Sequence, residues 1–324
     1  MSKLVSVIIP SYNHEAYIEQ TIRSIIAQTY DNIELLVIDD GSKDGTSAIL
    51  ESLKPECEKR FKRVVFEYQQ NQGACKTQNR LIQISQGDYV YLIASDDLSK
   101  PEAIELEVDF LEKNPEYALV TGDNEIIDCN GKIIYWSKKR FPLKSHYRAT
   151  FRTYGEFLQK SNDINLSSDD FGSYKALYHG NHVPNGYLIR KSIFQKTGLF
   201  TDKKLLEDHY MMLQISKYAK MKYLNKILFS YRWHDTNTIS NSLYMKDVTK
   251  RMFEYEYELV KQQYENGIVD ENVIELWENG EFRTFFKIPF VFEIIKFKHI
   301  KENKRGRIAK LFGITIYKKT KPIF

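Results

Sequence analysis

Cysteine is scarce in this chain. Its 324 residues hold three, Cys57, Cys75 and Cys129, with no C-x-x-C spacing and no even-numbered framework. That excludes a disulfide scaffold, argues against a structural zinc site, and makes a reducing cytosol the expected setting. Long apolar runs are missing as well. The best candidate, "IPFVFEII", is too short to cross a bilayer and contains Pro289 and Glu293. The first run, Leu4 to Pro10, is too short for a signal peptide and passes at once into Ser11, Asn13, His14 and Glu15. The expectation is a soluble chain without a transmembrane helix. Glycine-rich phosphate cradles are also absent. Neither G-x-G-x-x-G nor G-x-x-x-x-G-K-S/T occurs, so dinucleotide and Walker-type readings fail at their defining residues. There is no internal repeat and no low-complexity linker.

Hydrophobic residues make up 42% and charged residues 28%, which suits one large core, or one core with a smaller extension. Charge is unevenly spread. From Lys287 onward eleven Lys/Arg face two Glu, a surplus of +9 that leaves −5 for the preceding residues out of the net +4. A mildly acidic body precedes a basic tail.

The body alternates two periods. "LVSVIIP" is a near-continuous, β-branched apolar run that suits a strand buried on both faces. "EAYIEQTIRSIIAQ" then puts Ile18, Ile22, Ile25 and Ile26 on one helical face. "IELLVID", "RVVFEY" and "DYVYLIA" read as further strands, with helices from "DGTSAILESL" and from about Ala74 to Ser85 between them. This alternation predicts a parallel sheet flanked by helices. Ligands of such sheets bind outside the carboxyl ends of the strands, where "PSYN", "DDGS" and "SDD" all emerge. Farther on, "GDNEIIDCNGKIIYW" reads as a hairpin with an Asn-Gly turn. The segment from Asn162 to Asn185 is long, polar and turn-rich, which suits a functional loop. "LEDHYMMLQISKYA" reads as an amphipathic helix, and "MKYLNKILFSYRWHD" as a returning strand.

The adjacent acids Asp96 and Asp97 stand where an apolar run meets a helix start. Asp and Ser are ordinary loop and N-cap residues, and Pro101 fits a first helical turn. The other reading is a carboxylate pair holding a divalent cation, the counter-charge that a diphosphate needs where no glycine loop exists.

Taken together, "SVIIPSYNHEAYIEQTIRSIIAQTYDNIELLVIDDGSKDGT", "NQGACKTQN", "GDYVYLIASDD", "LLEDHYMML" and "YRWHDTNTIS" resemble the family-two glycosyltransferases of the GT-A fold. The resemblance covers residues 1–241 and implies an α/β fold with a mostly parallel, Rossmann-like sheet flanked by helices. Residues 242–324 lie outside it and read as a helical, basic, aromatic-rich C-terminal extension. The resemblance implies a nucleotide-diphosphate-sugar donor, most often a UDP-sugar, and transfer with inversion to a hydroxyl. Pro10 and Tyr12 match positions lining the base, and Asp40 the acid that accepts a hydrogen bond from it. Asp39 reads as structural. Glu15 matches a residue within reach of the nucleotide, although a first-turn acid also suits the helix dipole. Asn71 and Lys76 belong to "NQGACKTQN", which departs from the commoner family form by carrying Gln78 where an arginine often stands. Asp96 matches the ribose-facing acid and Asp97 the ligand of Mn²⁺ or Mg²⁺. His234 matches a histidine that some members place near the metal or diphosphate. Asp208 matches the catalytic base, although the same position suits a helix-start acid.

The implied function is an inverting, metal-dependent hexosyl- or N-acetylhexosaminyl-transferase acting on a bacterial surface glycan: lipooligosaccharide, capsule or a lipid-linked oligosaccharide. The competing class is a non-catalytic nucleotide-sugar-binding or scaffold subunit of a glycan assembly complex. A nucleotidyltransferase is disfavoured, because its basic, glycine-rich N-terminal loop is absent. The tail interleaves Phe and Ile with Lys and Arg, which reads as attachment to an anionic membrane surface, against the alternative of a helix packed on the core. No nucleic-acid module accompanies the charge. The expected location is cytoplasmic, peripheral on the inner membrane.

Overall fold

In a computed structural model, residues 2–162, 164–201, 203, 205–234, 242–278, 300–303, 306–311 and 314–320 are described. The first strand, β1 (Val5–Ser11), is buried almost throughout, as its unbroken apolar run requires. Helix α1 (Ile18–Ile26) returns over it and buries Ile18, Ile22 and Ile25, the face read from their spacing. Strand β2 (Ile33–Asp39), helix α2 (Thr46–Arg60), strand β3 (Arg63–Tyr68), helix α3 (Ala74–Ile84) and strand β4 (Tyr89–Leu92) complete the alternation. Helix α2 runs farther than its apolar pattern indicated, continuing through Pro55 to Arg60.

Next come β5 (Leu98–Ser99), α4 (Ala103–Lys113), β6 (Tyr117–Ile127), β7 (Ile133–Trp136), β8 (Pro142–Leu143), α5 (Tyr154–Asn162) and α6 (Tyr174–Tyr178). They are followed by β9 (Tyr187–Arg190), α7 (Phe194–Thr197), α8 (Glu207–Ser216) and β10 (Lys220–Arg232). The main sheet runs β3-β2-β1-β4-β9-β6-β10-β5. β1 pairs in parallel with β2 and β4, β2 with β3, and β6 with β10. The Rossmann-like half is therefore parallel as expected. β9 departs from it, lying antiparallel between β4 and β6. The hairpin read around Asn130-Gly131 is present as the antiparallel pair β6 and β7, with Ile126 opposite Ile134.

The core lies between sheet and helices, around Val7, Ile9, Ile22, Leu35, Val37 and Tyr91. Each such side chain contributes about 1.5–3 kcal/mol on burial. One expectation is corrected here. Helix α8 is not amphipathic, because His209 through Ile215 are all buried, polar Gln214 included. It is enclosed on every side, so a helical stripe could not describe it.

The chain forms two units, Met1–Met252 and Phe253–Phe324. The division falls inside α9 (Ser242–Glu265), which α10 (Glu271–Glu278) follows. In the second unit Tyr257 stacks on Trp277 at 5.5 Å. The extension is helical over these two elements, and then adds an antiparallel sheet of β11 (Ile300–Asn303), β12 (Gly306–Leu311) and β13 (Ile314–Thr320). The apolar part of the basic tail read as membrane-seeking, residues 279–299, lies outside the described residues.

Candidate active site

The loops leaving β1 and β2 are locked to one another at the carboxyl edge of the sheet. Asn13 sits at φ +53°, donates its N–H to Ser42 Oγ at 2.8 Å and accepts from Lys43 N at 2.8 Å. His14 N donates to Thr46 Oγ1 at 3.0 Å. Glu15 Oε2 accepts from Gly45 N at 2.6 Å, so its carboxylate caps the start of α2. Asp39 closes its own turn, accepting from Ser42 Oγ at 2.5 Å and Ser47 Oγ at 2.6 Å. Asp40 reaches the next loop and accepts from Gln72 N, Gly73 N and Gln69 Nε2, each at 2.8 Å. Between them Gly41 takes φ +82°, and a Cβ there would stand 2.9 Å from Asn71 N. Only glycine meets both demands.

These loops enclose a cleft of ≈ 410 Å³ lined by Pro10, Tyr12, Asp40, Asn71, Gln78 and Asp96, among others. Five of the seven positions read as donor-binding thus converge there. Glu15 and Lys76 do not line it; Lys76 is exposed on α3. Tyr12 is 45% exposed, which leaves its ring open to stack on a planar group. Two buried oxygens of the lining, Ser11 Oγ and Gln78 Oε1, make no hydrogen bond.

The acid pair follows β4. Thr21 Oγ1 on α1 donates to the carbonyls of Ser95 at 3.0 Å and Asp97 at 2.8 Å, which fixes that turn. Asp96 Oδ2 lies 3.0 Å from His234 Nε2. The His234 ring stacks on Tyr17 at 5.1 Å, and the Arg232 guanidinium lies 4.9 Å from the Tyr17 ring centre. Asp97 is turned inward, and its Oδ1 accepts from Arg232 N at 2.8 Å. The Arg232 side chain donates to the carbonyl of Asp96 at 2.5 Å, that of Asp128 at 3.1 Å, and Gln20 Oε1 at 3.0 Å. Burial and the charge of Asp96 raise the Asp97 carboxyl well above the usual aspartate range. Burial also acts upward on Asp96, but its bond to His234 and the charges of His14 and His234 outweigh that and hold it low. The two neighbours are driven apart, one towards the ionised form and one towards the protonated form.

Among the described residues no group of three or more His, Cys, Asp and Glu gathers as a metal site. What does gather is a two-donor set, the Asp96 carboxylate beside the His234 imidazole, at the wall of the cleft. Few protein donors with a hard oxygen among them suit a divalent cation that draws its other ligands from a diphosphate and water. The donor set fits such an ion. The structure places His234 beside Asp96, the position that the resemblance matched to the ribose-facing acid.

Asp208 lies in the first turn of α8. Its Oδ2 accepts from Asn181 Nδ2 at 3.1 Å and its Oδ1 from its neighbour His209 N at 2.7 Å. Burial raises its pKa against these bonds. Glu207 beside it is pushed up to about 7, by burial first and then by the charge of Asp208. Burial pushes Tyr154 up to about 12, and the charges of Asp208 and Asp97 act in the same direction. Its ring lies 5.2 Å from that of Tyr231.

Sequence reasoning missed His14, Arg232 and Asn181. His14 lines the cleft, bonds Ser95 Oγ through Nδ1 at 2.7 Å and lies 6.4 Å from the His234 ring. The "YRWHD" segment that carried His234 also carried Arg232 two residues earlier, the one signal that pointed to it.

A parallel β1–β4 edge followed by a carboxylate pair is the architecture of the GT-A fold. The chain belongs to glycosyl transferase family 2, whose profile matches residues 6–177. It is 36% identical over 235 residues to the chondroitin synthase of Escherichia coli, covering 72% of this chain and 30% of that one. In three dimensions it resembles Staphylococcus aureus TarS in complex with UDP-GlcNAc (TM-score 0.52, 19% identity), covering 74% of this chain and 61% of that chain. It also resembles the mannosyltransferase PcManGT of Pyrobaculum calidifontis in complex with GDP-Man and Mn²⁺ (TM-score 0.60, 13% identity), covering 80% of this chain and 65% of that one.

Proposed function

We propose that the chain is an inverting, metal-dependent transferase that moves the sugar of a UDP-sugar to a hydroxyl of a bacterial surface glycan, such as lipooligosaccharide, capsule or a lipid-linked oligosaccharide. One observation carries the reading: Asp96, with His234 beside it, lines a cleft that Tyr12, Asp40 and Asn71 also line. The mannosyltransferase with GDP-Man and Mn²⁺ supports a divalent ion, and TarS with UDP-GlcNAc supports a uridine donor.

Tyr12 packs on the base, and Asp40, already holding the loop that carries Asn71, accepts from the base through its remaining lone pair. Asp96 and His234 would hold Mn²⁺ or Mg²⁺, and an ion bound there would stabilise negative charge growing on the leaving diphosphate. Asp208 takes the proton of the attacking hydroxyl. Its raised pKa makes it a stronger base than an exposed aspartate, and the N–H groups of Asn181 and His209 hold it in place. A single base acting opposite the leaving group gives inversion.

The tail supplies the location. No helix among the described residues is long and apolar enough to cross a membrane. We assign the basic tail to the anionic cytoplasmic face of the inner membrane, where each basic residue contributes about 1 kcal/mol. Sedimentation with anionic vesicles should fall steeply with salt. A full-length protein that ignores anionic vesicles at low salt overturns this assignment.

The donor is tested by nucleotide release from several UDP-sugars and from GDP-mannose, each with Mn²⁺ and with chelator. Release confined to a UDP-sugar with metal supports the reading. Equal UDP affinity in chelator would sink the metal, and preference for GDP-mannose would sink the uridine.

A further inference from the structure

Beside Asp208 lies a second cavity, of ≈ 440 Å³, built entirely from the turn-rich segment and lined by Leu166, Ser168, Phe171, Lys175, Leu177 and His182, among others. Its volume falls in the range of small-ligand sites. Leu166, Phe171 and Leu177 are buried and make its walls apolar. His182 is 5% exposed, and neither of its ring nitrogens makes a hydrogen bond. Its approach to the backbone of Ala176 falls short of hydrogen-bond geometry. A buried imidazole without partners is costly unless something else supplies them.

The cavity shares a frame with the proposed base. Asn181, one residue before His182, bonds Asp208 at 3.1 Å. The carbonyl of Leu177, in the cavity wall, lies 2.7 Å from Nε2 of His209, the residue after Asp208. A molecule held in this cavity is held at a fixed setting to the acid.

We propose that the cavity is an acceptor subsite that binds a neutral sugar ring of the acceptor glycan, with His182 as its hydrogen-bonding residue. The inference rests on the transferase reading above. Burial lowers the pKa of His182 to about 4, so the imidazole is neutral and offers one donor and one acceptor. A sugar hydroxyl is likewise both donor and acceptor, whereas a phosphate or carboxylate accepts only and would leave the second nitrogen unpaired. Apolar walls suit the C–H face of a pyranose. The cavity lining also carries both signs of charge, Asp170 and Lys175, and so sets up no field that favours an ionic ligand.

The test is ligand-observed NMR on the full chain, with methyl glycosides of glucose, galactose and N-acetylglucosamine as neutral probes and methyl glucuronide as the charged one. At least one neutral glycoside should bind. Its affinity should fall by about 10-fold in His182→Phe, which removes the hydrogen bonds and fills the space. Ser168→Trp should block the probe in the same way without touching the buried histidine, which covers the case of a His182 variant that fails to fold. UDP affinity should stay at the wild-type value in both. Three results overturn the proposal: no neutral glycoside binds, the variants bind it as the wild type does, or the glucuronide binds best. Release of nucleotide from UDP-sugar with water as acceptor, read on the same sample, separates the two claims. Glycoside binding without any nucleotide release sinks the transferase reading, and release without glycoside binding sinks only the subsite.

Discussion

Buried carboxylates occupy both ends of the central strands, and the two ends treat them in opposite ways. At the amino end Glu34 is saturated. It accepts from Ser6 Oγ at 2.5 Å, Gln86 N at 2.5 Å and Gly87 N at 3.1 Å, and pairs with Arg63 at 2.7 Å. At the carboxyl end Asp96 has one imidazole beside it, Asp97 is bonded to the Arg232 N–H, and Asp208 has two donors. A carboxylate given every bond it can make holds structure together. Asp96, in the wall of the cleft with one imidazole beside it, keeps lone pairs for something that arrives later.

Exchanging these acids should separate the two classes. The largest effect is expected for Asp208→Asn, which should cut sugar transfer by about 10²–10⁴ and leave UDP affinity unchanged. In the wild type, the acid limb of the kcat/KM profile should lie above the usual aspartate range, because burial raises Asp208, and activity should rise as pH passes through that value. Asp208→Asn should erase that limb. Normal turnover by the variant would move the role to Glu207.

Glu34→Ala should do the reverse. It strands Arg63, the Gln86 N–H and the Ser6 hydroxyl, so denaturant unfolding should show a loss of about 3–5 kcal/mol. Turnover per folded molecule should not change, and a kinetic defect at full folding would erase the distinction between the two ends.

Asp40 tests the intermediate case, an acid with three donors already that also lines the cleft. Asp40→Ala should weaken UDP binding by about 10–100-fold, the value of a hydrogen bond to a charged group, and leave the Mn²⁺ dependence intact. His234→Ala should do the opposite, abolishing the gain from Mn²⁺ while UDP affinity in chelator stays the same. Matching defects in titration calorimetry would merge the base and metal roles.

The smallest effect concerns Glu107 of α4, fully buried with neither oxygen hydrogen-bonded and its pKa raised well above normal by burial. The folded state holds this proton more tightly than the unfolded chain, so stability from this group falls as pH rises past the ordinary glutamate value. Glu107→Met should stabilise by about 1–3 kcal/mol, most at neutral and higher pH. A thermal melt that shows no gain would place an unseen partner at that carboxyl.

Most of the Rossmann-like half was legible in the sequence, because strands buried on both faces read as unbroken apolar runs. β1 and β2 are such runs, and the loops that follow them carry Tyr12 and Asp40 into the cleft. The antiparallel β9 was not legible as such. Its partners β4 and β6 lie far away in sequence, and four residues cannot state a direction. The bond from Gly45 N to Glu15 could not be read from the sequence, because the two residues belong to different loops. His182 and Asn181 gave no local signal, since their meaning depends on what α8 places beside them.

One consequence follows from how Asp97 is anchored. Its carboxylate accepts from a main-chain N–H, that of Arg232. Nineteen of the twenty amino acids carry that group, so substitutions at position 232 preserve the bond to the acid whatever they do to the guanidinium contacts. Proline alone lacks the N–H and would lose both. A saturation library at this position should therefore contain a graded series of weakened enzymes and one abrupt failure. The acid's footing is inherited through the path of the backbone, where drift in side chains cannot easily erode it.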